Sequence, residues 1–527
     1  MIYPTLFING KVWQGKGNFK ESFGIIGDSF NFVGSNNEAL LLKQNYQSVI
    51  DLKGKTVLPG LIDSHVHLVY GSLMRKRIDC RNIKRLEQLS STVNEYIEKN
   101  KIQNGWVIGG NIDINSLNLN FESDNPLDSI SENYPLYFIN YDYHSALANS
   151  FVIKKTGLSE KIDEFNSEEI LLSKNGFPSG LLKERAMKHI FNNMPDPSPE
   201  TKVNAVSDFI KELHKYGITS VCDILLTEDI DVYPLLLKEG NPKIRISSYL
   251  PILDLKSIKK YLDKVSHIDK NFFKIKGFKI FYDGSLGSAT GLFKENYLHQ
   301  NHNGIRTEIV TSGILSELFN KADKQNWQLI THAIGDKAVE ETLTLYENLL
   351  KSNGFKDRRA RIEHAQHIDE NDFDRLVSSG VIISAQPVHL KYDEALVKKI
   401  LPESIVKRTH NYKKLIDRGV KVCFGTDFPI VDINPFENIQ TAVTRKTDDE
   451  YFYPENQIDL HECIKCYTIN GAYASFSDDI TGSIEYGKKA DFIVLNDDIF
   501  SVEENEIENI KVEKTYLNGE KCFSILD

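Results

Sequence analysis

The sequence has few cysteines and no long apolar stretch. Its six cysteines are scattered over 527 residues, which argues against a disulfide framework and favours a reducing compartment. No run of 18 apolar residues exists, so we expect no transmembrane helix and no membrane partner. The first residues lack a basic segment followed by an apolar one, which argues against a secretory signal. Together these absences predict a cytoplasmic protein.

A surplus of positive charge is also missing. The chain carries a net charge of −11 and has no basic stripe, so nucleic acid is not an expected partner. Its 41% of apolar and 26% of charged residues are typical of a globular protein. A length of 527 residues suits two or three domains.

Both ends of the chain are rich in short β-type runs. Residues 4–35 and the segments ADFIVL and KTYLNGEKC contain them, together with the turn dipeptides Asn9-Gly10 and Asn518-Gly519. Asn-Gly between apolar runs predicts a two-residue hairpin. We therefore predict one small β-sandwich domain assembled from residues 1–56 and 480–527.

The middle of the chain, residues 57–479, alternates apolar runs with helical patterns. Near-continuous apolar runs are typical of parallel strands buried on both faces, and strands separated by helices indicate βαβ units. Eight such units predict a closed TIM-type (β/α)₈ barrel of the α/β class. The eight predicted strands lie at 56–66, 218–223, 244–252, 277–283, 327–333, 360–365, 381–387 and 420–427. The long interval after the first strand predicts an inserted subdomain at about 80–200.

Metal-binding side chains occur at the ends of these runs. The active site of a (β/α)₈ barrel lies at the C-terminal ends of its strands. His65 and His67 end the first run, and because side chains alternate along a strand, both point the same way and can chelate one metal ion. Four further candidates lie in the fourth, fifth, sixth and eighth runs: Lys279, His332, His364 and Asp427.

Each of these residues alone has an ordinary structural explanation. A His-x-His pair arises by chance among 14 histidines, and a single lysine in an apolar strand usually reaches the rim. The joint pattern over five strand ends favours a metal site instead. Lys276 competes with Lys279 for the lysine position, but three residues away it points to the other face of the strand.

Several segments resemble the amidohydrolase superfamily, and within it the amidohydrolase-3 group that includes N-substituted formamide deformylases. The resemblance covers nearly the whole chain. It is carried by LPGLIDSHVHL and by residues 140–150, 176–186, 277–290, 332–343, 361–368, 424–430 and 482–495.

The resemblance implies roles for the matching residues. His65, His67 and Asp427 would bind one metal, and His332 and His364 a second. Lys279 would be carboxylated by CO₂ and bridge the two, since a lysine ammonium has no lone pair with which to bind a cation. Mixed histidine, aspartate and carboxylate donors favour zinc, one or two ions per chain, with manganese, iron and cobalt compatible.

The resemblance further implies an amidohydrolase. Metal-activated hydroxide would attack the carbonyl carbon of a small non-peptide amide, of N-acyl or N-formyl type, and cleave its carbon–nitrogen bond. Asp427 would carry a proton from the water to the leaving nitrogen. His144 would bind substrate or stabilise the oxyanion from the insertion. A homodimer is the oligomeric state that the resemblance suggests.

Two alternatives stay open at this point. One is a deaminase of the same superfamily, which typically uses one metal and an acidic residue soon after the fifth-strand histidine. The other is a catalytically silent barrel scaffold, although such relatives generally lose metal ligands. One departure concerns the insertion, where Asn111 and Asn115 replace the aromatic-rich sequence that relatives often carry after a segment like WVIGG. The substrate of any single relative is therefore not transferable.

Overall fold

The computed structural model of the chain forms two compact units, residues Met1–Ser72 with Pro199–Asp527, and residues Leu73–Ser198. It describes residues 3–100, 102, 105–122, 124–140, 145–167, 169–238, 243–447 and 450–526. None of the helices in this described part is long and apolar enough to cross a membrane.

The first unit contains a barrel of eight parallel strands. We number them in chain order as barrel strands 1 to 8: Leu61–Val66, Ile218–Ile224, Arg245–Pro251, Phe273–Phe281, Gln328–Ala333, Arg361–His364, Ile382–Ala385 and Val422–Phe424. Their order in the sheet follows the chain, and each corresponds to one predicted apolar run. The predicted (β/α)₈ barrel is therefore confirmed.

The barrel closes between its last and first strands. Val66 and Phe428 form a parallel bridge, and the Asp427 N–H donates to the His65 carbonyl at 2.8 Å. All six residues of barrel strand 1 are buried, as expected for a parallel strand that is covered on both faces. Closure thus brings the residues that follow strand 8 beside the end of strand 1.

Helices occupy the intervals between the barrel strands, as the periodic patterns predict. One example is Pro199–Lys215, which is followed two residues later by Gly217 with a φ of 75°. The α-helices that lie in this unit, or begin in it, are Asn36–Leu42, Leu68–Arg75, Pro199–Lys215, Val232–Leu236, Ile258–Val265, Glu308–Thr311, Leu315–Lys324, Asp336–Asn353, Phe373–Ser379, His389–Ile400, Glu403–Val406, Tyr412–Ile416, Pro435–Thr444, Leu460–Tyr467 and Ile469–Ala474.

Two sheets built from both ends of the chain complete the first unit. In sheet order, one contains Ser29–Gly34, Ser22–Ile26, Thr5–Ile8 and Ser48–Asp51. The other contains Glu520–Ser524, Val512–Leu517, Phe492–Leu495, Thr56–Pro59, Lys11–Trp13 and Phe19–Lys20. A shared apolar core joins them, in which the Phe492 ring stacks on Tyr516 at 4.3 Å and meets Phe7 edge-on at 5.3 Å. This is the expected β domain built from both termini.

The two predicted hairpins have different outcomes. Asn518 and Gly519, both with positive φ, join the antiparallel strands Val512–Leu517 and Glu520–Ser524, as predicted. The prediction for Asn9-Gly10 is wrong, because the strands on either side enter different sheets. Asn9 has a φ of 57°, and its N–H donates to the Asn36 side chain, so the dipeptide turns the chain from one sheet to the other.

The second unit follows barrel strand 1 in the chain. Its mixed sheet contains, in order, Ile170–Leu172, Pro178–Lys183, Ser145–Ala148, Leu136–Asn140, Val107–Ile112 and Ile78–Asp79. Its helices are Leu86–Asn100, Ser150–Lys155 and Glu184–Asn193. Tyr137 and Phe138 belong to different apolar clusters, as expected for a sheet with both faces buried.

The domain limits predicted from the sequence stay predictions, because the division into compact units does not separate the terminal sheets from the barrel.

Candidate metal centre

Two histidines and an aspartate meet where barrel strands 1 and 8 end. His65 lies within strand 1 and His67 one residue beyond it, while Asp427 follows strand 8 by three residues. One Asp427 carboxylate oxygen lies 3.4 Å from His65 Nε2 and 3.3 Å from His67 Nε2. One donor atom from each residue lies within 4.8 Å of the others. Three donors at such separations form a group that can hold one metal ion.

The backbone around Asp427 explains how it reaches the two histidines. Asp427 has a φ of 61°, which turns its side chain away from the direction that a continued strand would give. The buried Asp63 carboxylate accepts the N–H groups of His65 and Thr426, both at 3.1 Å, and the Thr426 hydroxyl at 2.7 Å. Asp63 therefore ties the segment before Asp427 to strand 1.

His332 and His364 lie beside this group. The His364 ring is 4.9 Å from His65 and 4.5 Å from His332. His364 has a φ of 70° at the end of barrel strand 6, and its Nδ1 lies 2.9 Å from the Gln386 side-chain oxygen. His332 Nε2 lies 3.0 Å from the Gly284 carbonyl. The structure thus brings four predicted histidines into one cluster.

Lys279 is buried in barrel strand 4, and its ammonium has no hydrogen-bond partner among the described residues. Its Nζ lies 4.9 Å from the centre of the Phe281 ring, which in turn lies 5.3 Å from His332. Burial lowers the pKa of Lys279 to about 8. The lowered pKa increases the fraction of neutral amine, which is the form that adds CO₂, so an unpartnered lysine at this position fits a carboxylated one. Lys276 instead contacts the Phe476 carbonyl at 3.4 Å.

The electrostatics of the cluster suit a cation. Burial, with the Lys279 ammonium nearby, lowers the pKa of His65 to about 4 and that of His332 to about 3. Both rings are therefore neutral at pH 7 and keep a nitrogen lone pair. Burial alone would raise the pKa of Asp427, but the surrounding histidines hold it well below its usual value. Neutral imidazoles and an ionised carboxylate are the donor set that a divalent metal requires.

Two buried carboxylates support the cluster. Asp283 accepts the N–H groups of Leu292 at 2.8 Å and of Ile334 and Gly335 at 3.0 Å, and so anchors the chain that follows strands 4 and 5. The position of Asp283 at the end of an apolar run makes it recognisable from the sequence as a candidate site residue. Glu363 contacts the His65 ring. The sequence does not mark Glu363 as a site residue, because it directly precedes His364 in a strand. Side chains alternate along a strand, so Glu363 and His364 are expected on opposite faces. His144, the other predicted catalytic residue, lies outside the described residues.

Comparison with known proteins gives an independent view of the whole chain. The Amidohydrolase family matches residues 48–523. Protein LONG AFTER FAR-RED 3 of Arabidopsis thaliana is 32% identical over 494 residues, which cover 90% of this chain and 83% of that protein. An N-substituted formamide deformylase of Arthrobacter pascens is 24% identical over 518 residues, which cover 94% of this chain and 93% of that enzyme.

A solved structure shares the fold. A metal-dependent hydrolase from Pyrococcus horikoshii OT3 superimposes with a TM-score of 0.80 at 24% sequence identity, and the match covers 95% of this chain and 99% of that one. At this level of identity the likeness bears on the fold alone.

Proposed function

The chain belongs to the amidohydrolase family and is a metal-dependent hydrolase acting on carbon–nitrogen bonds, and we propose that its substrate is a small non-peptide amide of N-acyl or N-formyl type. The observation that carries the proposal is the grouping of His65, His67 and Asp427 donor atoms within 4.8 Å. The deformylase named among the relatives supports the amide class.

The ligands that we propose all lie at the C-terminal ends of barrel strands: His65, His67, Lys279 as its CO₂ adduct, His332, His364 and Asp427. Nitrogen donors mixed with carboxylate oxygens favour zinc. A bound divalent metal lowers the pKa of water towards 7 and polarises a carbonyl oxygen. Whether one or two ions bind depends on Lys279, because an ammonium cannot be a ligand.

Asp427 is the proposed proton carrier. Its carboxylate is ionised and oriented by contacts with both His65 and His67, so it is poised to accept a proton from water. An amide nitrogen leaves readily only when it is protonated, and the same carboxyl group then supplies that proton. The role requires a group that is ionised before the reaction and lies beside the metal ligands, and the position of Asp427 next to His65 and His67 supports it.

Phe281 provides a surface for the substrate beside the metal centre. It ends barrel strand 4 and leaves 46% of its surface exposed, although its ring lies against His332 and the Lys279 ammonium. An exposed aromatic ring at the catalytic end of a barrel favours an apolar group on the substrate. We therefore expect amides with an alkyl or aryl substituent to be preferred. The cytoplasmic location and the homodimer stay predictions.

The test is a screen of the zinc-loaded protein against N-formyl and N-acyl amides with small alkyl and aryl substituents. Release of the amine together with the carboxylate is the expected result. A His65→Asn, His67→Asn double variant, prepared identically, controls for contaminating hydrolases. Ammonia release from an aminated heterocycle, without amide cleavage, would instead support a deaminase. No turnover in either class, with zinc bound, would contradict the proposal.

A further inference from the structure

A buried ion pair inside the barrel ends on the His65 imidazole. On barrel strand 6, Arg361 donates to both carboxylate oxygens of Glu363, at 2.8 and 2.9 Å. The second of these oxygens lies 2.5 Å from His65 Nδ1 on barrel strand 1. Arg361 and Glu363 are fully buried, and His65 is 1% exposed. Solvent therefore does not compete for this contact.

We infer that Glu363 is a positioning residue for His65, an inference that rests on the proposed function. Glu363 accepts a hydrogen bond from Nδ1–H, which keeps the proton on Nδ1 and the ring in one tautomer. The lone pair then lies on Nε2, the nitrogen that faces Asp427 at 3.4 Å. A carboxylate behind a ligand histidine fixes the ring orientation and makes the ring a stronger donor.

Arg361 keeps Glu363 in the form that this role needs. Its guanidinium donates to both carboxylate oxygens inside the barrel, and a positive charge at this distance stabilises the ionised carboxylate. Arg361 is itself fixed across three strands, because it also donates to the Ser64 carbonyl at 2.6 Å and lies 3.1 Å from the Ser384 hydroxyl. The carboxylate therefore has little freedom to leave the His65 ring.

The partner of a second histidine in the cluster is different. His364 Nδ1 faces the neutral Gln386 side chain at 2.9 Å. A hydrogen bond to a charged acceptor is roughly twice as strong as one to a neutral acceptor. The contact behind His65 is therefore the stronger of the two.

Glu363 is completely buried and so does not touch substrate. Its influence on the reaction therefore passes through His65.

The experiment measures zinc affinity rather than turnover. Metal-free wild-type and Glu363→Gln proteins compete with a chromophoric chelator for Zn²⁺, and the substitution is expected to weaken the tighter zinc site about 10- to 100-fold. Asp491→Asn is the matched control, because Asp491 is also a buried carboxylate paired with an arginine, and its partners are Arg245, Thr481 and Asn518 rather than a ligand histidine. It should leave zinc affinity within about threefold of wild type. Equal affinity in Glu363→Gln and wild type would overturn the inference.

Two further measurements keep the test decisive. Thermal unfolding of the metal-free proteins checks folding, and if Glu363→Gln fails to fold, Arg361→Met with Glu363→Gln removes the unpaired guanidinium. In ¹⁵N-histidine spectra, the metal-free wild type should show an Nδ1–H signal that His65→Asn removes and that Glu363→Gln shifts towards the other tautomer. An unchanged tautomer would contradict the role. Wild-type protein that binds zinc but cleaves no amide would refute the proposed function and not this inference.

Discussion

Replacing Lys279 with methionine separates its two possible chemical states. As an ammonium, Lys279 is buried without a hydrogen-bond partner among the described residues, which costs the folded protein free energy. As a CO₂ adduct, it would be an anionic metal ligand and would stabilise the metal-loaded protein. Methionine has a similar length and no charge, so it fills the same volume without the desolvation cost. We therefore expect opposite effects in metal-free and metal-loaded protein.

The magnitude follows from the pKa of the buried amine. Burial lowers it from 10.5 to about 8, and at about 1.4 kcal/mol for each tenfold change this corresponds to roughly 3 kcal/mol. At pH 7 the amine is protonated in both folded and unfolded chains, so the full cost is present. Between pH 8 and 10.5 the folded chain loses its proton first, and wild-type stability rises with pH. The advantage of the methionine variant should thus vanish near pH 10.5.

The assay is urea unfolding of metal-free protein kept at low CO₂. At pH 7 Lys279→Met should have the larger free energy of unfolding, by up to roughly 3 kcal/mol. In zinc and bicarbonate, the same variant should hold less zinc per chain than wild type. A metal-free variant less stable than wild type would refute the reasoning from burial. An unchanged zinc content would refute the role of Lys279 as a ligand.

Two other substitutions test the proton carrier and the acid stability of the fold. Asp427→Asn should lower kcat at least about 100-fold in zinc-loaded protein, with zinc content measured in parallel, and full turnover would remove the proposed role. His214 is buried, its Nε2 lies 3.0 Å from the Lys243 carbonyl, and burial lowers its pKa from 6.5 to about 4. The unfolded chain binds this proton first, so stability falls as pH drops from 6.5 to 4. His214→Gln should reduce that fall by up to roughly 3 kcal/mol in urea unfolding at pH 7 and 4.5, and an unchanged fall would contradict it.

The barrel was predictable because its physical signal is local. Each of the eight strands is a short apolar run, and helices with one apolar face lie between them. The terminal sheets were only partly predictable. Asn9-Gly10 and Asn518-Gly519 have the same dipeptide sequence, and Asn9 and Asn518 both adopt a positive φ. Whether two strands pair or separate at such a turn depends on tertiary partners that the dipeptide does not encode.

The site was predictable in its residue types but not in its orientations. Strand alternation correctly places His65 and His67 on one side of the chain. It does not explain why His364 joins them while Glu363, its neighbour, also reaches His65. The positive φ of His364 breaks the alternation, and that of Asp427 acts in the same way beyond strand 8. Positive φ values at residues other than glycine are uncommon, and the sequence carries no pattern that announces them here.

The measurement that bears most directly on a metal-dependent hydrolase is the metal content per chain of protein purified without chelators or an affinity metal. We predict one or two equivalents of zinc, and the loss of bound zinc in the His65→Asn, His67→Asn variant. Two equivalents would require Lys279 to be a ligand and hence carboxylated. No tightly bound metal, even after reconstitution with zinc and bicarbonate, would contradict the account.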